Sequence, residues 1–239
     1  MSAHDVASPY SSHAAVEASG RVLKAEKIIA VLAGHVSLED CRLLDIGTGS
    51  GHIARRLAER AASVTSVNVA DERVVTEGYD FVEIEGHELP FADGTFDVVV
   101  SNQVIEHMPC QAEHLREMAR VLRDDGVAYL ATPNKYGLVE PHFGVPLLSW
   151  LPRRLADLYT RRLHGKSWDV YPLSASEVRC LVEPHFEAID VTIDVLRDPK
   201  GHALDVSPAL HALFARTPRA VYEAVHRLMP SYIWVLRKR

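Results

Sequence analysis

The chain has few of the residues that mark disulfide-rich, metal-binding or membrane-spanning proteins. Only three cysteines, Cys41, Cys110 and Cys180, occur among 239 residues. Their odd number and wide spacing favour reduced, structural thiols, which usually behave as small buried apolar groups. The longest apolar stretches, at residues 28–33 and 145–151, are far shorter than the ~20 residues that cross a bilayer. Since the N-terminus also lacks a basic segment followed by an apolar one, we expect a soluble, cytoplasmic protein.

The chain also lacks a basic excess. It contains 26 Lys and Arg against 32 Asp and Glu, a net charge of -6, which argues against nucleic acid as a partner. Aromatic residues make up only 7%, but 47% of the residues are hydrophobic and 24% are charged. This balance is typical of a folded globular domain and excludes disordered, collagen-like and coiled-coil chains.

The hydrophobic pattern alternates between the periods of strands and helices. Such alternation predicts an α/β fold with a doubly wound, mainly parallel sheet, whose ligands lie beyond the C-terminal ends of the strands. Strands are predicted at residues 41–46, 64–69, 81–85, 96–101, 127–131, 188–195 and 232–236. Helices are predicted at residues 21–32, 51–60, 112–122, 174–183 and 208–229, the last with a break at Pro218.

These elements indicate a single domain over residues 1–239 with three additions. Residues 1–34 form an N-terminal capping segment, of which 1–20 show little periodicity and predict a partly mobile stretch. Residues 135–172, which we call the lid, are predicted to form a helical insertion after the fifth strand, because they contain no clear strand and are too long for an idle loop. Residues 197–230 form a second helical insertion before the last strand.

The strongest local signal is the motif DIGTGSG at residues 45–51, between an apolar strand and an amphipathic helix. Glycines permit positive φ angles and close approach of a ligand, while a helix N-terminus presents free N–H groups. A dinucleotide-binding turn requires its third glycine at position 52, which is His52; here the third glycine is Gly51. The motif therefore predicts a cofactor site of a different type.

Over residues 42–134 the chain resembles class I S-adenosylmethionine-dependent methyltransferases. The matching pieces are the glycine motif, Asn68, residues 85–91, the run FDVVVSN at 96–102, residues 105–107 and the tripeptide TPN at 132–134. The resemblance implies a Rossmann-like sheet of seven mostly parallel strands with an antiparallel C-terminal strand. It also implies S-adenosyl-L-methionine as the cofactor and no metal.

The resemblance assigns each candidate cofactor-binding residue to one part of that cofactor. The methionine part falls to Asp45, Gly47, Thr48, Gly49 and Gly51, the ribose to Asn68 and Val69, and the adenine to Glu85, Gly86 and His87, with Ser101 and Gln103 after the fourth strand. Asn68 departs from the family, which usually has a carboxylate there to accept from both ribose hydroxyls. Either cofactor binding is weakened or Asp71 helps.

A hydroxyl acceptor requires removal of its proton, and histidine is the usual base near neutral pH. His142 is the first candidate, because it follows the fifth strand's C-terminal end closely, and His107 is the second. The lid mixes aromatic, aliphatic and basic residues, so it is a candidate to cover an anionic acceptor or to contact a membrane surface peripherally, although a packed lid with solvated arginines explains it as well.

The sequence predicts methyl transfer to a hydroxyl of a small-molecule or lipid-linked acceptor, such as a saccharide, a glycolipid or another metabolite. Two alternatives stay open. One is methylation of carbon or nitrogen on a small acceptor such as a quinone precursor. The other is a non-catalytic protein that binds the cofactor and serves another enzyme, to which only Asn68 points.

Overall fold

The computed structural model describes residues 9–140 and 143–239, with side chains from residue 18 onward. The described strands, in chain order, are β1 (Arg42–Ile46), β2 (Ser63–Asn68), β3 (Asp80–Glu83), β4 (Phe96–Asn102), β5 (Leu122–Pro133), β6 (Val139–Glu140), β7 (Val145–Pro146), β8 (Phe186–Asp190) and β9 (Ser231–Lys238). The described helices are α1 (Pro9–Ala33), α2 (His52–Ala58), α3 (Gln111–Val121), α4 (Arg153–His164), α5 (Ala175–Val182), α6 (Thr192–Arg197), α7 (Pro208–Arg216) and α8 (Arg219–Val225).

Seven of these strands form one sheet in the order β3-β2-β1-β4-β5-β9-β8. Strands β1 to β5 pair in parallel, and β9 runs antiparallel to both of its neighbours, β5 and β8. The strand order reverses between β1 and β4, where a doubly wound sheet opens a crevice for ligands. The predicted Rossmann-like fold, mostly parallel with an antiparallel C-terminal strand, is confirmed.

The sheet is covered on both faces. Val98, Val99 and Val100 of β4 are all fully buried, as the continuous apolar run predicts for a central parallel strand. On one face the buried side chains include Ile28 of α1, and on the other Leu115 of α3. Burial on both faces makes the strand ends beside β4 a rigid base for the loops that follow them.

Two helix signals are confirmed. Ser174 caps α5, and its side chain and that of Glu177 form the reciprocal capping box predicted from their spacing. The helical region near the C-terminus divides at Pro218 into α7 and α8, followed by a 3₁₀ turn.

The strand predicted at 188–195 is wrong in its second half. β8 ends at Asp190, and α6 begins at Thr192. The Asp190 carboxylate accepts from the Thr192 N–H, and the Thr192 hydroxyl pairs with the Ile233 backbone. These side-chain hydrogen bonds offer the backbone an alternative to the strand ladder, which alternation of apolar residues does not reveal.

Other boundaries also differ from the prediction. The helix predicted at 21–32 begins earlier, because residues 9–20 also belong to α1. Pro9 occupies the first helical position, where its missing N–H costs nothing. β5 begins at Leu122 rather than 127, with a register shift against β4 that accommodates Asp124 to Gly126. The lid contains a two-stranded ribbon of β6 and β7 where no strand was predicted.

The lid has a small core of its own and is tied to the loop after β4. Leu148, Ala156, Trp168 and Val170 are buried together. The Tyr171 N–H donates to the Glu106 carbonyl over 2.6 Å, and the Gln111 side-chain amide donates to the carbonyls of Ile105 and Tyr171. These hydrogen bonds therefore hold the C-terminal end of the lid against the 3₁₀ turn that contains His107.

Candidate active site

A cavity of about 440 Å³ opens at the C-terminal ends of β1, β2 and β4. This volume suits a small-molecule ligand. Eight predicted site residues line it: Gly47, Gly49, Asn68, Val69, Gly86, His87, Gln103 and His107. Asp45, Thr48, Gly51, Glu85 and Ser101 do not line it. Their predicted contacts with the cofactor stay predictions.

The glycine turn between β1 and α2 forms the cavity's floor. Gly47, Gly49 and Gly51 all have positive φ angles, of 85°, 50° and 83°. A Cβ on Gly47 would collide with Val104, and one on Gly51 with the Val75 carbonyl oxygen. Gly49 differs: among the described residues, the one atom within 4 Å of the position that a Cβ would take is an Arg21 guanidinium nitrogen, at 3.4 Å. Two glycines are thus required by packing, while the third leaves room on the cavity side.

Asp45 lies beneath this turn and is buried. Its carboxylate accepts from the Ser66 hydroxyl at 2.9 Å, and Ser66 in turn pairs with the Thr48 hydroxyl at 2.5 Å. Burial raises the pKa of Asp45 to about 6, and the Ser66 hydrogen bond only partly opposes this effect. At neutral pH a negative charge therefore lies under the turn, where it favours a cationic ligand group.

We expect Asp45→Asn to stabilise the protein without ligand at pH 7 and above. The raised pKa means that the native state binds more protons than the unfolded chain between pH 4 and pH 6. The wild type therefore loses about 2 to 3 kcal/mol of stability as pH rises through this window, and the variant does not. Denaturant unfolding from pH 4 to pH 8 measures the difference, with exposed Asp205→Asn as the control. A gain in the free energy of unfolding that is the same from pH 4 to pH 8 would contradict the raised pKa of Asp45.

The end of β2 supplies both an amide and a carboxylate. Asn68 donates through Nδ2 to the Ala70 carbonyl at 2.9 Å, which leaves its oxygen as the acceptor. Asp71, the residue predicted to help Asn68, is held in a two-point ion pair by Arg73 and is absent from the cavity wall. Glu72 lines the cavity instead. The structure therefore offers a carboxylate four residues after Asn68, which the sequence analysis missed.

Replacing Glu72 with glutamine should weaken S-adenosylmethionine binding by about tenfold, because the charge-assisted hydrogen bond to a ribose hydroxyl becomes a neutral one. Titration calorimetry measures the change. Glu77→Gln is the matched control, since Glu77 is exposed in the same loop and does not line the cavity. Equal affinity in wild type and Glu72→Gln would remove Glu72 from the site.

The loops after β3 and β4 complete the side of the cavity that is predicted to bind the adenine. Gly86 and His87 line it, and Gln103 does so with a left-handed φ of 61°, its N–H bonded to the Ala131 carbonyl. Such strain in a non-glycine residue clusters at functional sites. Ser101 is fully buried and pairs with His114 Nε2 at 3.0 Å. Burial lowers the pKa of His114 to about 4, so this histidine is neutral at pH 7. Its hydrogen bond to Ser101 joins α3 to β4.

One wall of the cavity was missed by the sequence analysis. Val104, Met108, Pro109 and Cys110 line it. These residues have no polar signature, and only the path of the chain around the 3₁₀ turn brings them to the cavity. The three cysteines are free thiols, as predicted; Cys41 is buried, whereas Cys110 and Cys180 are exposed.

His107 lies between two cavities. It lines the first and also a second one of about 500 Å³, whose other walls come mainly from the lid: Phe143, His164, Lys166, Asp169 and Val170. Phe143 packs against His164 and Trp168, with ring centroids 5.3 and 5.8 Å apart. His142, the first candidate for the base, lies outside the described residues.

Residues 9–140 and 143–239 contain no group of three or more His, Cys, Asp or Glu side chains placed to hold a metal ion. In the same part of the chain, no helix has both the length and the hydropathy needed to cross a bilayer.

The seven-stranded sheet and the glycine turn at the cavity's floor are the framework on which the comparisons with known proteins bear. Residues 44–130 match the model of the methyltransferase domain family. The match gives a methyltransferase domain over these residues, and it implies S-adenosylmethionine as the cofactor.

Similar proteins agree with this assignment. The chain is 30% identical over 134 residues to a ubiquinone biosynthesis O-methyltransferase from Parvibaculum lavamentivorans, covering 50% of this chain and 52% of that one. It is 33% identical over 140 residues to a malonyl-[acyl-carrier protein] O-methyltransferase from Geobacter sulfurreducens, covering 52% and 48%. The chain thus spans about half the length of these curated relatives. An S-adenosylmethionine-dependent methyltransferase from Mesorhizobium loti shares the fold, with a TM-score of 0.57 at 12% identity over 90% of this chain and 98% of that one.

Proposed function

We propose that this protein transfers the methyl group of S-adenosylmethionine to an oxygen of a small-molecule or lipid-linked acceptor, most simply a hydroxyl. The observation that carries the proposal is the pair of adjoining cavities, with His107 in the wall of both. One cavity has the strand-end position and glycine floor of a cofactor site, and the other is formed by the lid beside it. A donor and an acceptor bound in this way would meet at His107.

The residues of the first cavity fit the cofactor in shape and charge. The positive φ and open side of Gly49 leave room for close approach of the methionine part, and the buried Asp45 places negative charge under it. Asn68 and Glu72, which line the cavity, have oxygen acceptors that would bind the ribose hydroxyls. When bound, the cofactor supplies an activated methyl group on a sulfonium, so the protein contributes mainly position and the exclusion of water.

The protein's own side chains would supply the base that accepts the proton of the acceptor hydroxyl. An alkyl hydroxyl loses its proton at or before transfer, and a neutral imidazole beside it accepts that proton. His107 lines both cavities, and its backbone N–H donates to the Val104 carbonyl within the 3₁₀ turn. We therefore assign the base to His107, with His142 as the alternative to be tested beside it.

The second cavity suggests an acceptor with a planar or apolar part and an anionic part. Phe143 offers an aromatic ring for packing. Lys166 and His164 offer cationic or polar partners, whereas Asp169 is the one carboxylate among the residues that line this cavity. Both curated relatives reported above are O-methyltransferases by name, which supports oxygen over carbon or nitrogen. If the acceptor is lipid-linked, peripheral contact of the lid with a membrane would bring the second cavity close to it.

Mass spectrometry of cell extracts incubated with the protein and methyl-labelled S-adenosylmethionine tests this proposal. We expect a labelled product whose methyl carbon is bonded to oxygen by NMR, formed by the wild type and absent with Gly49→Val. A methyl group on carbon or nitrogen would contradict the hydroxyl assignment. A cofactor that binds but labels no product in any extract would favour the non-catalytic alternative.

A further inference from the structure

The helix α4 turns apolar side chains away from the protein. Ala156 and Thr160 are fully buried and face the lid's core, whereas Leu155, Leu158 and Leu163 are 52%, 55% and 62% exposed. In a helix packed on one face, the outer side is ordinarily polar. Three leucines on the outer side therefore form a face that no described part of the chain covers.

This face continues beyond the helix. Trp150 and Leu151, which precede α4, are also exposed, as is Tyr159 within it. Of the twenty exposed large apolar side chains among the described residues, eleven lie between residues 136 and 171. A concentration of this kind on one segment marks an interaction surface, since single exposed apolar residues are normally scattered.

The same helix is strongly basic. It contains four arginines against Asp157 alone, in a chain whose net charge is -6. Arg161 pairs with Asp157 at 2.8 Å, and Arg153 stacks on Tyr171 at 4.0 Å toward the protein. Arg154 and Arg162 are exposed beside the leucines. The outer face thus joins long aliphatic groups with cations whose stems can lie along an apolar surface.

We propose that the outer face of α4 docks in the plane of an anionic bilayer surface. Leucines enter the boundary of the acyl chains, Trp150 and Tyr159 lie at the headgroup level, and Arg154 and Arg162 bind headgroup phosphates. His164 and Lys166, at the C-terminal end of α4, line the second cavity. If the proposed function holds, docking brings the acceptor cavity next to the lipid surface, so the acceptor class is a lipid-linked, anionic hydroxyl compound.

Charge distinguishes a bilayer from a second copy of the chain. In a symmetric pair joined through α4, the same basic face would meet itself, and like charges directly opposed are unfavourable. An anionic surface is complementary to both the cations and the leucines. The bilayer is therefore the occupant that this face fits best.

Co-sedimentation with vesicles tests the proposal. The wild type should bind vesicles of equal parts phosphatidylglycerol and phosphatidylcholine, bind pure phosphatidylcholine far less, and lose binding as salt is raised. The double variant Leu155→Glu with Leu158→Glu should lower the partition coefficient by about tenfold or more, since two apolar groups that would enter the bilayer become charged. Leu210→Glu with Leu213→Glu, on the exposed face of α7, is the matched control and should bind as the wild type does.

A second pair of variants changes only charge. Arg154→Glu with Arg162→Glu should lower partitioning by about tenfold or more, while the exposed pair Arg60→Glu with Lys200→Glu should change it much less. Equal loss in test and control pairs, absence of wild-type binding to anionic vesicles, or a dimer in solution that Leu155→Glu dissociates would each overturn the proposal. S-adenosylmethionine titrations on the same samples separate the two ideas: cofactor binding without vesicle binding refutes docking alone, and the reverse refutes the proposed function alone.

Discussion

Gly49→Val is expected to lower the affinity for S-adenosylmethionine by at least about a hundredfold. Gly49 has a φ of 50°, which a β-branched residue adopts only with strain, and its side chain would enter the cavity from the floor beside Arg21. Unlike at Gly47 and Gly51, no atom of the described residues lies closer than 3.4 Å to the position of a Cβ on Gly49, so the folded protein should survive the change. Titration calorimetry measures the loss.

Gly94→Val is the matched control for this prediction. Gly94 also has a positive φ, 62°, and lies before β4 away from the cavity. Both substitutions should cost about 1 to 2 kcal/mol of stability for the left-handed backbone, measured by denaturant unfolding. Only Gly49→Val should lose the cofactor. Normal cofactor binding by Gly49→Val would show that the glycine turn is not the binding floor.

His107→Ala is expected to lower turnover by about 10²- to 10⁴-fold, the usual contribution of a general base. Cofactor affinity should fall only a few-fold, because His107 forms one edge of a cavity that many other residues line. Wild-type turnover should rise with pH through the range in which histidines lose their proton, because only neutral imidazole accepts one. Kinetics at saturating cofactor and acceptor check both effects.

His142→Ala and His211→Ala accompany this experiment. His211 lies on α7, outside both cavities, and its removal should leave turnover unchanged. Loss of turnover in His142→Ala with near-normal turnover in His107→Ala would move the base to His142. If both variants keep normal rates, no histidine base is used, and a more acidic hydroxyl, a carbon or an amine becomes the acceptor.

The parts of the site that could be predicted from the sequence are those that local chemistry determines. The glycine turn follows from strand, glycine spacing and helix in one short stretch, and Asn68 is placed by where an apolar strand ends. Both lie on the cavity wall or floor as expected from the doubly wound topology. The seven-stranded sheet followed from alternation of strands and helices in the same way.

The parts that could not be predicted depend on contacts between distant segments. Glu72 reaches the cavity because the loop after β2 is pinned to the glycine turn, where the N–H groups of Val74 and Val75 donate to the Ser50 carbonyl. No local pattern distinguishes Glu72 from Asp71, which binds Arg73 instead. Similarly, the helix α6 replaces the second half of a predicted strand, and hydrogen bonds join its Thr192 to Ile233, 41 residues away.

The shared wall at His107 is likewise a tertiary feature. The sequence placed two histidines near the strand ends but contained no signal for the second cavity, which arises because the lid returns to the loop after β4 through Tyr171. The exposed leucines of α4 are visible in the sequence only as one stripe of an amphipathic helix. Which stripe faces inward is decided by the packing of Ala156 and Thr160.

Titration calorimetry of the wild-type protein with S-adenosylmethionine, and separately with NAD, tests the central claim most directly. The account predicts saturable binding of S-adenosylmethionine at one site per chain and no measurable binding of NAD, because the third glycine is Gly51 and the ribose carboxylate pattern of a dinucleotide site is absent at Asn68. Binding of NAD with no heat from S-adenosylmethionine, or binding of neither, would contradict it.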